Sequence, residues 1–222
     1  MTITILFLAV IGAIVGWWFL QQRLTDKPWL EEGPVGDVPG SGASAVPAAK
    51  VGLGVLLAVV GCLFALFLTA YFMRMHMAGD WRSLPVPKML WLNTGVLIFS
   101  SVALHRALSA ANQGHLDGVR MGLYGGGISA LVFLAGQLVA WRQLTAAGYF
   151  AASNPANAFF YLITGLHGLH LLGGLVALGR TIARVERGFG AAAVRLSVGL
   201  CATYWHFLLL VWLILFGVLL LT

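Results

Sequence analysis

The side chains in this chain that could do chemistry are few, and histidine leads them. His167 and His170 stand three residues apart, so on a helix they share a face, and His206 lies in the run Tyr204-Trp205-His206-Phe207. With His105, Gln137, Thr164 and Thr203 they make up the polar groups inside otherwise apolar stretches. Polar groups in hydrocarbon are expensive and so point to function. Imidazoles on facing helices can ligate a haem iron or, with a third ligand, another metal. Bis-histidine haem ligation needs matched pairs at two levels, which this uneven supply does not provide. The competing reading is that each imidazole bonds a backbone carbonyl or hydroxyl of a neighbouring helix, or a lipid headgroup. A histidine proton relay lies between the two, short of members without a carboxylate in the apolar stretches. Cys62 and Cys201 have no CxxC partner and read as small packing residues.

The elements that must position these groups are set by the charge distribution. Of 222 residues 60% are apolar, and only 13 basic and 7 acidic residues are present, well below the roughly one-quarter charged share of soluble domains. The charges fall in clumps between apolar stretches long enough to cross a bilayer, about 20 residues as helix. Those stretches are Met1–Gln22, Val51–Met73, Met89–Leu104, Met121–Trp141, a helix from about Ala156 to Gly179 entered through Ser153, Asn154 and Pro155, and Leu196–Thr222. The expected fold is an all-α membrane protein of six transmembrane helices. Residues 1–22 are expected to form a retained helix and not a cleaved signal peptide, because no basic residue precedes the apolar run and Trp17-Trp18 followed by Arg23 suits an interfacial anchor. Residues 23–50, rich in Pro and Gly, read as a linker, and 51–222 as a five-helix core.

Lys and Arg sit beside helix ends, with no basic run or aromatic-interleaved patch for nucleic acid. Nine basic residues (Arg23, Lys27, Lys50, Arg106, Arg120, Arg180, Arg184, Arg187, Arg195) fall on one side of the six crossings and four (Arg74, Arg82, Lys88, Arg142) on the other. Cytoplasmic loops hold the positive excess, which places both termini outside. Gly12 and Gly16, and Gly122 and Gly126, have the four-residue spacing that lets helix backbones approach closely, within the chain or against another subunit. His76, His105 and His115 are expected at or beyond helix ends. His206 and Trp205 are expected to form a polar cluster with His167 or His170 between the last two helices.

Several motifs carry a family resemblance. Phe159-Phe160-Tyr161-Leu162-Ile163-Thr164-Gly165-Leu166-His167-Gly168-Leu169-His170, ending in Gly173-Gly174, resembles the TGxHxxH signature of subunit III of the haem-copper respiratory oxidases. Tyr204-Trp205-His206-Phe207 with Val211-Trp212-Leu213 is similar to that family's last helix, YWHFVDVVWLFLF. Leu90-Trp91-Leu92-Asn93-Thr94 and Ser100-Ser101 resemble its LWLNT and SS stretch, Gln137 falls where a helix glutamine is usual, and Ala70-Tyr71-Phe72 fits the end of the first core helix. The motifs occur in family order across 51–222, and residues 1–50 lie outside them.

The resemblance implies a non-catalytic subunit of a terminal oxidase in a bacterial cytoplasmic membrane, packed on catalytic subunit I and near subunit II, binding phospholipid, with haem and copper held by the partner and none by this chain. It marks Thr164, Gly165, His167, His170, Trp205, His206, Gln137, Trp91 and Asn93 as motif residues at lipid or subunit contacts. An accessory subunit related to nitric oxide reductase, or a histidine-ligated membrane cytochrome, is the alternative. Three carboxylates usual in the family are replaced here by Val60, Ala140 and Leu209, which removes that route for protons and narrows the implied role to scaffold and lipid contact.

Overall fold

The computed structural model describes residues 47–77, 79 and 81–221, together with positions 9, 13 and 17. It contains five helices, each long and apolar enough to cross a membrane: α1 Ala48–Met77, α2 Met89–Gln113, α3 Leu116–Ala146, α4 Pro155–Glu186 and α5 Ala191–Leu221. These are the five core helices expected. The sixth, over Met1–Gln22, apart from the three positions named, and the linker up to residue 46 lie outside the described residues; residues 48–50, expected in the linker, are the start of α1.

The helices overrun the apolar stretches that announce them. At about 1.5 Å per residue, 25 to 32 residues span roughly 37–48 Å, against about 30 Å of hydrocarbon. The extra turns carry charge into the headgroup layer, and so Arg106, Arg120, Arg180 and Arg184 are helical. His105 follows: it is not at a helix end, as expected, but two turns inside α2. His76 does close α1, and His115 caps the start of α3.

The ends are specified locally. Asn154 is the N-cap of α4, its Oδ1 accepting from the Ala156 amide at 3.1 Å, with Pro155 in the first turn where a missing N–H costs nothing. The same side chain donates from Nδ2 to the Arg82 carbonyl at 2.6 Å, tying the segment before α2 to the start of α4. Gly114, Gly148 and Gly188 take φ of +80°, +89° and +85° just beyond α2, α3 and α4, the left-handed turn that glycine supplies without strain.

The chain divides into two compact units, Met1–Ala65 and Leu66–Thr222, with the division inside α1. In the first, residues 48–65 form the N-terminal part of α1, begun by the Lys50 amide on the Pro47 carbonyl at 2.8 Å. In the second, α2 packs on α3 and α5, and α4 packs on the same two helices, closing a four-membered antiparallel ring. The tightest contact is α2 with α3: a Cβ on Gly122 would lie 2.6 Å from the Ala107 Cβ and 2.7 Å from the Ala103 carbonyl, and one on Gly126 2.7 Å from Leu104 Cγ. The glycines at 122 and 126 thus serve packing inside this chain. The end of α1 in this unit sets Tyr71 edge-on to Trp81 at 4.9 Å and to Phe159 at 5.6 Å.

Candidate functional site

Three tryptophans organise the polar groups of the ring, each by the same device. Trp141 of α3 donates through Nε1 to Thr164 Oγ1 of α4 at 3.1 Å, and Thr164 donates to the Phe160 carbonyl at 2.6 Å. Trp212 of α5 donates to Thr94 Oγ1 of α2 at 3.0 Å, and Thr94 to the Leu90 carbonyl at 2.8 Å. Trp205 of α5 donates to Ser100 Oγ at 3.0 Å, and Ser100 to the Gly126 carbonyl of α3 at 2.7 Å, so this relay joins three helices. A hydroxyl has one proton to give and lone pairs to receive, so indole, hydroxyl and carbonyl satisfy one another without water. Thr164 therefore bonds back one turn and bridges to a neighbouring helix at once.

Around Trp212 the interior is aromatic. Phe133 of α3 meets it edge-on at 5.0 Å, His167 of α4 lies 5.2 Å from it and 5.8 Å from Phe133, and all three are fully buried. His167 is thus a core residue of the ring. His170, one turn on, donates from Nδ1 to the Leu166 carbonyl at 2.8 Å, and Tyr204 of α5 donates to the His170 carbonyl at 3.0 Å. The glycines of the motif make room for this packing: Gly165 faces Trp141, Gly168 faces Leu134, and a Cβ on Gly174 would lie 2.8 Å from the Tyr204 ring and 2.9 Å from that of Trp205. The thin face of α4 is filled by side chains of α3 and α5.

His206 and Trp205 do not form the expected cluster with His167 or His170. Both turn to α2: Nδ1 of His206 meets Ser101 Oγ at 2.9 Å, and its ring stacks on His105 with centroids 5.6 Å apart, on the exposed side of the α2–α5 pair. The Trp205–Ser100 bond sets the register of α5 on α2, which brings His206 over the buried Ser101 and beside the exposed His105. Trp91 is also on this side, exposed, with its ring 4.9 Å from Phe216. Asn93 is buried against Gly136, where a Cβ would collide with its amide, and Gln137 is buried beside it in sequence. The amide atoms of Gln137 and Nδ2 of Asn93 have no hydrogen-bond partner among the described residues.

Cys201 is buried with its sulfur 3.6 Å from Thr181 Oγ1, as a packing residue, whereas Cys62 is exposed. Among the described residues no three His, Cys, Asp or Glu side chains group closely enough to hold a metal ion. Trp141, Phe133 and Ser129, whose hydroxyl bonds the Gly125 carbonyl, lie outside the family motifs. A tryptophan inside an apolar stretch is itself a signal, since its N–H needs an acceptor there.

Helices of membrane-crossing length, and a ring held by hydroxyl relays instead of charge, define an all-α multi-pass membrane protein. The chain belongs to the cytochrome c oxidase subunit III family, whose family model matches residues 45–221. It is 33% identical over 159 residues to a probable cytochrome c oxidase subunit 3 of Mycobacterium tuberculosis (strain ATCC 25618 / H37Rv), covering 70% of this chain and 77% of that protein. It is 31% identical over 173 residues to a cytochrome c oxidase subunit 3 of Thermostichus vulcanus, covering 76% and 85%. A third relative, from Synechocystis sp. (strain ATCC 27184 / PCC 6803 / Kazusa), is 28% identical over 173 residues, covering 74% and 72%.

Proposed function

We propose that this chain is the accessory, non-catalytic subunit of a bacterial terminal haem-copper oxidase, packed against catalytic subunit I and near subunit II, and holding phospholipid at that boundary. The observation that carries the reading is the use made of the family motifs. Thr164, Trp205 and the Thr94 and Ser100 hydroxyls are spent on tying helices together, which is what a scaffold requires. The haem and copper of oxygen reduction belong, on this reading, to the catalytic subunit. Replacement of the usual membrane carboxylates by Val60, Ala140 and Leu209 favours scaffold over proton relay. Residues 1–22 are an appended transmembrane helix on a linker that ends where α1 begins at Ala48, a division supported by a family match that starts at residue 45.

The test is purification of the tagged chain from its own membranes in mild detergent. The expected result is a complex with a larger membrane subunit, a haem absorption band and bound copper. Removal of this chain should leave initial oxidase turnover measurable but make it decay faster during sustained turnover. Recovery of the chain alone, with no haem protein, overturns the reading.

A further inference from the structure

Resting on the accessory-subunit reading, we infer that the exposed α2–α5 face carrying His105 and His206, with Ser101 buried behind them, is an intramembrane docking surface for a transmembrane helix of another subunit that presents a carboxyl group. The placement of the imidazoles makes the demand. His206 stands midway along α5, 15 residues from Ala191 and 15 from Leu221, or about 22 Å of helix on either side. Its ring and that of His105 are nevertheless exposed. The neighbouring polar side chains Thr94, Ser100, Trp205 and Trp212 are turned inward and satisfied. A polar side chain facing hydrocarbon is costly, and such groups normally face protein or water.

The platform is built to hold the pair. The Trp205–Ser100 and Trp212–Thr94 bonds fix α5 against α2 on the inner side, so the Ser101–His206 bond and the 5.6 Å histidine stack sit on braced helices. His206 is engaged by Ser101 and by the Ala202 backbone, whereas the His105 ring makes no hydrogen bond among the described residues and is the imidazole of the pair left for a partner. A carboxyl group complements this pair in either proton arrangement. Carboxylic acid with imidazole and carboxylate with imidazolium have the same zero net charge, and both keep a hydrogen bond.

The other occupants fit less well. A lipid phosphate sits at the membrane surface, not midway along a spanning helix. All 7 acidic residues of this chain lie outside its apolar stretches, so neither a second copy nor the 1–22 segment can offer the group. The apolar neighbours Ile98, Val102 and Leu213 are exposed on these two helices, and they suit the flank of an apposed helix.

The experiment places a photo-crosslinking residue at Val102 or Leu213, with Leu131 of α3 as control, in the whole complex in native membranes. Cross-links from the first two into a transmembrane helix carrying Asp or Glu are expected. His206→Leu should lower retention of this chain in the purified complex by about tenfold or more, His206→Gln by less. Removing the partner's carboxyl should reproduce the loss, and combining it with His206→Leu should add little. Cross-links to lipid, to the 1–22 segment, to a second copy or to a helix without a carboxyl overturn the inference while leaving the accessory reading intact. Failure of the chain to purify with any haem protein overturns both. The cross-linking arm does not depend on how well the His206→Leu chain folds.

Discussion

A buried tryptophan in a membrane helix carries an N–H that nothing in the hydrocarbon will accept, and here Thr94 is the acceptor for Trp212, which is fully buried. Thr94→Val keeps the shape but orphans the indole, so it should destabilise the folded chain by about 1 kcal/mol, the scale of interhelical hydrogen bonds measured in membrane proteins. Trp212→Phe removes the donor and leaves Thr94 on the Leu90 carbonyl, but it also loses ring contact with Phe133 and His167. The interaction is therefore read from the double-mutant cycle, in which the combined variant is expected to lose about 1 kcal/mol less than the two single losses together. Thermal unfolding of the four proteins in one detergent provides the measurement; strict additivity would mean the relay contributes nothing to folding.

Among elements, glycine is where backbone geometry decides. Replacing Gly by Ala in a helix gains up to about 1 kcal/mol of intrinsic propensity, so the sign of each substitution reports what the new methyl meets. At Gly122 it meets the Ala103 carbonyl at 2.7 Å and the Ala107 amide nitrogen at 2.8 Å, backbone that moves only with the helix. At Gly126 it meets Leu104 Cγ at 2.7 Å, in a side chain that is itself fully buried. At Gly179 it meets nothing within 4 Å. The expected order of stability is Gly179→Ala above wild type, Gly126→Ala below it, and Gly122→Ala lowest, by about 1–3 kcal/mol, read from midpoints of thermal unfolding; a stabilised Gly122→Ala protein would contradict the close α2–α3 approach. The same elements show what was legible beforehand. The start of α4 could be read from Asn154 and Pro155, because a cap is local chemistry. The C-terminal end of α2 could not, because apolarity marks the hydrocarbon layer while the helix runs on through Arg106 to Gln113. Nor could the partner of His206. Around that residue α5 is apolar on every side, so no stripe marks the face that meets α2, and its rotation is set by tertiary bonds such as Trp205 to Ser100.

For the molecule as a whole, the ring fixes which ends lie together, and charge then orients it. Within residues 66–222 the antiparallel order puts the 114–115 and 187–190 connections at one end and the 147–154 connection at the other. The first end carries six basic residues, Arg106, Arg120, Arg180, Arg184, Arg187 and Arg195, and the second four, Arg74, Arg82, Lys88 and Arg142. Arg120 is partly offset by its ion pair with Glu186 at 3.2 Å, but acidic residues weigh little in membrane orientation. On this count the end with six is expected in the cytoplasm, with the end of α5 outside. Two single cysteines decide this, in a background where the exposed Cys62 is replaced by alanine. Ala151→Cys, in the 147–154 connection, should react with a membrane-impermeant maleimide on intact cells or spheroplasts. Gln113→Cys, at the end of α2, should react only after the membrane is opened. The reverse pattern would invert the chain and put the arginine-rich end, Arg180, Arg184 and Arg187 included, against the outer leaflet. The bundle would be unchanged by that inversion, but any helix docked on the α2–α5 face would have to meet it from the opposite orientation.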